Sequence, residues 1–399
     1  MKLDTRAMRH LTSEDWRVLT AVEMGSKNHE LVPTPLIEKI ARLRGGASGV
    51  HKSIATLAKA GLIARMKEAR YDGYRLTYGG LDYLAMHTHA ARGHVYSVGG
   101  SRVGVGKESD IMVVADSSGQ KRILKMHRLG RVSFRTVKAN RDYLKNRQSA
   151  SWMYLSRLAA VREFSFMQAL HAEGFPVPEP IAQSRHTIVM SLIDAPPLRQ
   201  IASVPDPAAL YADLIALLLR LAKHGLIHGD YNEFNILLRE DKEDPTDEES
   251  KITLTPILID FPQMISMDHP NAEMYFDRDV ACIKRFFERR FHFVSETPGP
   301  FFKDAKKTVG KDGATRLDAV SEASGFTKKM AKDLEAAIRE QEANKDDDPE
   351  ESDEEEDEDD EEDGSDDGSE AVDQGPLVIG VKVLETQEGL KNLSVSDET

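Results

Sequence analysis

The 399-residue chain has a single cysteine, Cys282, which excludes an internal disulfide and a thiolate zinc site and suits a reducing compartment. Long apolar runs are also lacking. Nothing approaches the roughly 18 consecutive apolar residues of a membrane span, and residues 1–6 lack the apolar stretch of a signal peptide. The expectation is a soluble cytoplasmic protein, able to shuttle through the nucleus, with no membrane partner. Residues 346–370 contain no Lys or Arg but 19 Asp or Glu, so they cannot bury a core and are expected to be disordered. The overall net charge of −14 therefore misleads, because the rest of the chain carries +5. An apolar island follows at residues 377–384 and reads as a partner-binding segment, for instance for a nuclear export receptor, more readily than as a strand.

Within residues 1–92, short helical patterns alternate with start and stop signals. Thr12 or Ser13 opens a first helix that carries Trp16, Leu19 and Met24 and closes near Gly25. Thr34-Pro35 starts a second, with Leu36, Ile37, Ile40 and Leu43 as its apolar stripe. Ser48 opens a third, with Val50, Ile54, Leu57 and Ala58 inward and Gly61 at its end. The stretches 62–66 and 74–78 flank Asp72-Gly73, a pair that favours a tight hairpin turn. Three helices and a two-stranded wing describe a winged helix-turn-helix. This region has 15 Lys or Arg against 9 Asp or Glu, and its third helix would offer His51, Lys52, Thr56 and Lys59 to a phosphate backbone. A protein-docking or purely structural winged helix is the alternative.

From residue 94 the pattern shifts to strands at 95–98, 111–115 and 122–127, then to a helix at 151–173, a strand at 187–192 and an apolar helix at 208–224. A helical pattern resumes at 276–291. The fold class is thus α+β: a winged helix at 1–92, then a bilobal domain at 93–300, with a strand-rich small lobe at 93–192 and a helical large lobe at 193–300. A partly helical extension at 301–344 and a disordered acidic tail at 345–399 follow.

Three motifs carry chemistry. Gly99-Gly100-Ser101-Arg102-Val103-Gly104-Val105-Gly106-Lys107-Glu108-Ser109-Asp110 lies between two strands. Its glycines, Gly100, Gly104 and Gly106 among them, let backbone amides approach phosphates, and Lys107 and Ser109 add a charge and a hydroxyl. It is not a Walker A loop, because Glu108 follows Lys107 where Ser or Thr is needed, and a strand follows where a helix is needed. Lys125 sits in the third strand, where a kinase fold places the lysine that grips the inner phosphates, and Glu163 is the best carboxylate to orient it. Finally, His228-Gly229-Asp230-Tyr231-Asn232-Glu233-Phe234-Asn235 and the apolar strand ending at Asp260 present a base and two metal ligands. Asp230 is the expected general base or hydroxyl-orienting carboxylate, Asn235 and Asp260 are oxygen ligands for magnesium, and His228 braces the loop.

These residues, together with Leu124-Lys125-Met126-His127-Arg128-Leu129-Gly130-Arg131 and Ile259-Asp260-Phe261-Pro262-Gln263, resemble the RIO family of atypical protein kinases, in its winged-helix-bearing second subfamily. The resemblance covers roughly residues 1–300. It implies ATP and Mg2+, with adenine held by the linker backbone at Met190, Ser191 and Ile193 and phosphates under Gly104-Val105-Gly106. It also implies work on the maturing small ribosomal subunit, an RNA-protein particle, in late cytoplasmic steps. Asp260 is followed by Phe261-Pro262 rather than Phe-Gly, and no Ala-Pro-Glu appears downstream. A peptide-substrate platform is therefore expected to be missing, leaving phosphate transfer to the protein itself, to water, or to Asp260 as an aspartyl phosphate. The basic stretch Arg128, Arg131, Arg135, Lys138, Arg141, Lys145 and Arg147 is opposed only by Asp142. Its spacing suits RNA phosphates, with a solvated basic helix as the alternative, and Ser133, Thr136 and Ser149 make it a candidate autophosphorylation region. Two other readings stay open. The His-Gly-Asp pattern is also similar to aminoglycoside and choline kinases, and the same residues would serve a nucleotide-gated scaffold with negligible turnover.

Overall fold

Thr12 starts the first helix through a capping box: its hydroxyl accepts from the Asp15 amide at 3.3 Å, and the Asp15 carboxylate accepts from the Thr12 amide at 2.9 Å. The computed structural model describes residues 6–29, 31–65, 72–105, 109–129, 148–242, 252–319, 334 and 377–378. Helices α1 (Ser13–Gly25), α2 (Thr34–Ala41) and α3 (Gly46–Lys59) and strands β1 (Ile63–Arg65) and β2 (Tyr74–Leu76) make the winged helix. On α3 the buried face is Val50, Ser53, Ile54 and Leu57, whereas Ala58 is exposed. The inward stripe therefore takes the serine three residues after Val50 instead of the alanine. Asp72-Gly73 is not a tight turn either. Arg65 pairs with Tyr74, so the connection runs from 66 to 73. Gly73 is favoured for another reason: a Cβ there would lie 3.0 Å from the Val32 carbonyl, where Val32 bridges to Tyr74.

The segment after β2, expected to extend the strand to residue 78, turns instead into α4 (Tyr78–Ala91), capped by Thr77. Residues 80–86 of α4 are buried without interruption. A run of seven buried residues, Asp82 among them, offers no exposed face over those two turns and erases the 3.6-residue period by which the helix would be found.

β3 (Ser97–Val105), β4 (Ser109–Ala115), β5 (Lys121–His127), β6 (Pro180–Ser184) and β7 (Thr187–Ser191) form an antiparallel sheet in the order β3-β4-β5-β7-β6, and α5 (Gln148–Ala172) follows β5 in sequence. β6 was absent from the sequence expectation; it begins with a proline, which an edge strand tolerates.

Polar side chains stitch α4 and α1 to this sheet. Arg128 holds both carboxylate oxygens of Asp82 at 2.7 and 2.8 Å and reaches Asp110 at 3.0 Å, and His186 lies 2.9 Å from Asp82. Arg185, at φ +55°, takes Glu23 of α1 with two bonds of 2.6 and 2.7 Å and also donates to the Leu84 carbonyl. Burial pushes the Asp82 carboxyl up, but His186 and Arg128 outweigh it and hold it below its ordinary value. Arg128 is thus a buried structural residue, and its assignment to an RNA-facing surface is corrected. Residues 1–193 form one compact unit and 194–318 another.

In the second unit, Asp206 caps α6 (Pro207–Lys223), and the chain passes through β9 (Leu226–Ile227), which pairs with β12 (Ile265–Ser266). Between these lie the hairpin β10 (Ile236–Lys242) and β11 (Ile252–Leu258), then α7 (Ala272–Phe291) and α8 (Phe302–Lys306). Ordered packing continues past residue 300, into the start of the extension expected at 301–344. The amides of Gly310 and Leu317 donate to the carbonyls of Lys223 and His224, satisfying the last turn of α6. At the other end of the sequence, Leu377–Val378, the start of the apolar island, forms a strand, β13, parallel to β8 (Ile201–Ser203).

Candidate nucleotide and phosphotransfer site

Lys125 lies in the middle of β5, flanked in the sheet by Ile111 and Ile188. Its ammonium donates to Glu163 of α5 at 2.8 Å, with the two side chains 6% and 1% exposed. The other Glu163 oxygen lies 2.8 Å from His127 Nε2, two residues along the same strand and so on the same face. Burial would raise the Glu163 carboxyl, yet Lys125 and His127 hold it at about 2. Glu163 is therefore a carboxylate throughout the physiological range, held from both sides.

Of the glycine-rich segment, Gly100 and Gly104 lie in β3, with Gly104 opposite Ile111 and Val105 opposite Asp110 across an irregular register. Gly106 and Lys107 lie outside the described residues, and Ser109 opens β4 opposite His127. Met190 and Ser191 end β7, and Ile193 follows, half-buried. The Ser191 amide donates to the Glu179 carbonyl at 3.0 Å.

The loop after β9 is built around a buried aspartate that the motif did not reveal. Asp279, 2% exposed on α7, accepts from the amides of Gly229 at 2.8 Å and Tyr231 at 3.1 Å. Burial raises its carboxyl, against the pull of His228 and of these two amides. Arg278 donates to the Gly229 carbonyl from the same helix, and the Tyr231 hydroxyl donates to the Leu214 carbonyl. Asp230 is thereby presented between two pinned neighbours. One of its oxygens accepts from Asn232 Nδ2 and the other from Asn235 Nδ2, both at 2.8 Å. Because the Asn235 amide nitrogen is committed to Asp230, a cation can approach Asn235 only through Oδ1. The signal for Asp279 was legible in principle, since an acid sits on the stripe of Phe276, Val280, Ile283 and Phe287.

Asp260 follows directly. The Ile259 amide donates to the Asn235 carbonyl at 3.0 Å, and His228 lies 3.2 Å from the Ile259 carbonyl and packs edge-on to buried Phe261. His228 is therefore the brace that its position suggested. Asp260 itself has φ +69°. Gly229, at φ +80°, allows this segment to come close: a Cβ there would lie 2.6 Å from the Gln263 carbonyl. Among the described residues no cluster of three or more His, Cys, Asp or Glu could hold a metal. Two oxygen donors, Asn235 and Asp260, fit magnesium when phosphate oxygens and water complete its shell.

Of the nucleic-acid candidates, Lys52 and Lys59 are exposed on α3 with His51 and Thr56. Arg131, Arg135, Lys138, Arg141 and Lys145 lie outside the described residues.

Comparison with known proteins agrees with this geometry. The RIO domain model matches residues 110–298, and a model described as Rio2, N-terminal matches residues 8–92. The serine/threonine-protein kinase rio2 of Schizosaccharomyces pombe is 52% identical over 335 residues, covering 84% of this chain and 92% of that protein. RIO2 of Saccharomyces cerevisiae is 47% identical over 371 residues, covering 87% and 84%. A crystal structure of the Rio2 kinase–ADP/Mg2+–phosphoaspartate complex from Chaetomium thermophilum is 82% identical with a TM-score of 0.80, covering 86% of this chain and 100% of that one. With a winged helix, a buried Lys125–Glu163 pair and a pinned Asp230–Asn235 loop, the chain belongs to the Rio2 family of RIO-type serine/threonine-protein kinases.

Proposed function

We propose that this chain is an ATP- and Mg2+-dependent phosphotransferase whose turnover times its release from a maturing small ribosomal subunit in the cytoplasm. The observation that carries the chemistry is the backbone of Asp260, whose left-handed φ of +69° costs an L residue about 1–3 kcal/mol and is held by fixed neighbours on both sides. Asn235 and Asp260 would hold the cation, which when bound neutralises charge on the β- and γ-phosphates. Lys125, oriented by Glu163, grips the inner phosphates.

In the first step a carboxylate oxygen of Asp260 attacks the γ-phosphorus. The new O–P bond forms as the bond to the β–γ bridging oxygen breaks, and ADP leaves with that electron pair. Water then attacks the phosphorus of the aspartyl phosphate as Asp230 takes its proton; the Asp260 O–P bond breaks, its electron pair restores the Asp260 carboxylate, and inorganic phosphate departs. The relative described with ADP, Mg2+ and phosphoaspartate supports this route. The short span from Asp260 to α7 supports it as well: residues 261–271 hold a turn and β12, leaving little room for a peptide platform. Exposed Lys52 and Lys59, with the basic segment 131–147, are the surfaces offered to ribosomal RNA. The apolar island, when released from β8, is offered to an export receptor.

Single-turnover ATP hydrolysis by wild type and Asp230→Ala, with and without pre-ribosomal particles, tests the enzymatic reading; equal rates would sink it. A hydroxylamine-labile phosphate that persisted in Asp260→Ala would remove the aspartyl phosphate.

A further inference from the structure

Beside the 230–235 loop, the second unit holds a cavity of about 620 Å³ that no step above uses. Arg199, Arg285, Arg289, Arg290, Glu233 and Cys282 line it, four cations against one carboxylate. Arg290 donates to the carbonyls of Ile201 and Arg199, both at 2.9 Å, and fixes the rim. Arg199 stacks over Phe234, 4.6 Å from the ring centroid. Arg285 and Arg289 are exposed, and among the described residues no carboxylate pairs with either. The C-terminus of α7 favours cations in its last turn, which accounts for Arg289 and Arg290 but not for Arg285 or Arg199. Like charges four apart on a helix repel, so an anion seated against this wall would be stabilised.

The geometry points to the chain's own acidic run, residues 346–370, as the occupant of this arginine cavity. Its 19 carboxylates, with no Lys or Arg among them, complement the lining. The parallel pairing of Leu377–Val378 with Ile201–Ser203 puts the chain just beyond that run against the strand whose Ile201 carbonyl Arg290 holds. Residues 371–376 separate run and strand and span at most about 21 Å when extended. A nucleic-acid backbone is the other polyanion such a cavity accepts, but it has no comparable staple. The tail then competes in cis with any polyanion approaching the 230–235 loop. This inference does not depend on the aspartyl phosphate.

Cys282, the chain's only cysteine, lines the cavity half-buried and permits disulfide trapping in the full-length protein. Burial, with Asp279 and Glu233, pushes its thiol up, so glutathione disulfide is applied at alkaline pH. With Ser365→Cys, the intrachain disulfide should form at least tenfold faster than with Ser396→Cys, which lies on the other side of β13. Arg285→Glu with Arg289→Glu should slow the Ser365→Cys trapping at least tenfold and leave ATP affinity unchanged. High salt should bring it toward the control rate without any change to the cavity. Equal trapping at the two positions, or a rate insensitive to both charge reversal and salt, would overturn the proposal. So would a charge reversal that weakened RNA binding with trapping unchanged, which would give the cavity to nucleic acid.

Discussion

Replacing Glu163 by Gln keeps the shape of the residue that orients Lys125 and deletes its charge. In the folded protein that carboxyl sits at about 2, against an ordinary 4.5, because Lys125 and His127 outweigh the cost of burial. A carboxyl depressed by folding contributes stability that is complete above its unfolded value and is lost as pH falls through the folded one. At about 1.4 kcal/mol per unit the whole contribution is about 3 kcal/mol, of which about 2 has gone by pH 3. At pH 7, Glu163→Gln should therefore destabilise by about 3–5 kcal/mol, the usual cost of stranding one partner of a buried pair. Urea unfolding followed by tryptophan fluorescence reads the right unit, since both tryptophans, Trp16 and Trp152, belong to residues 1–193. The gap between wild type and variant should narrow by about 2 kcal/mol between pH 7 and pH 3. A gap of equal size at both pH values would refute the reasoning.

Arg128→Met strands Asp82 and Asp110 and should cost about 3–5 kcal/mol in unfolding, while changing RNA binding less than twofold; weakened RNA binding in a protein of unchanged stability would return Arg128 to the RNA surface. Gly229→Ala pushes a methyl to 2.6 Å from the Gln263 carbonyl and should cost about 1–3 kcal/mol, visible in the denaturant midpoint together with reduced ATP turnover. Asp279→Asn exchanges one acceptor for a donor facing the Gly229 or Tyr231 amide, and should lower kcat on the order of 10²-fold by misplacing Asp230; the check is ATP Kd, which should stay near wild type.

What the sequence made legible follows from the range over which each signal acts. The start of α1 at Thr12, the strand bearing Lys125 and the Asp230-to-Asn235 spacing are local patterns, written within a few residues, and they appear where they were expected. Glu163 is 38 residues from Lys125 and was still identified, because a kinase fold demands one carboxylate on the following helix. Arg128 failed for the opposite reason. Its neighbours in sequence are basic, but its partners, Asp82 and Asp110, lie 46 and 18 residues earlier, and only the fold brings them in. α4 was missed because burial on every side removes the periodicity by which a helix is recognised.

Asp279 shows why the 228–235 loop is only half written in its own motif. The residues proposed to do chemistry, Asp230 and Asn235, are hydrogen-bonded to each other and declare themselves by type and spacing. What fixes them is a pair of backbone amides, those of Gly229 and Tyr231, and a backbone amide has no residue identity to read. Their acceptor lies 50 and 48 residues downstream and shows itself only as an acid on an apolar helical stripe. Burying a carboxylate there is unfavourable unless it is used, and two amides plus His228 are what use it. An acid that interrupts an otherwise apolar stripe downstream of a His-Gly-Asp loop should therefore be read as part of that loop's support before it is read as a packing defect.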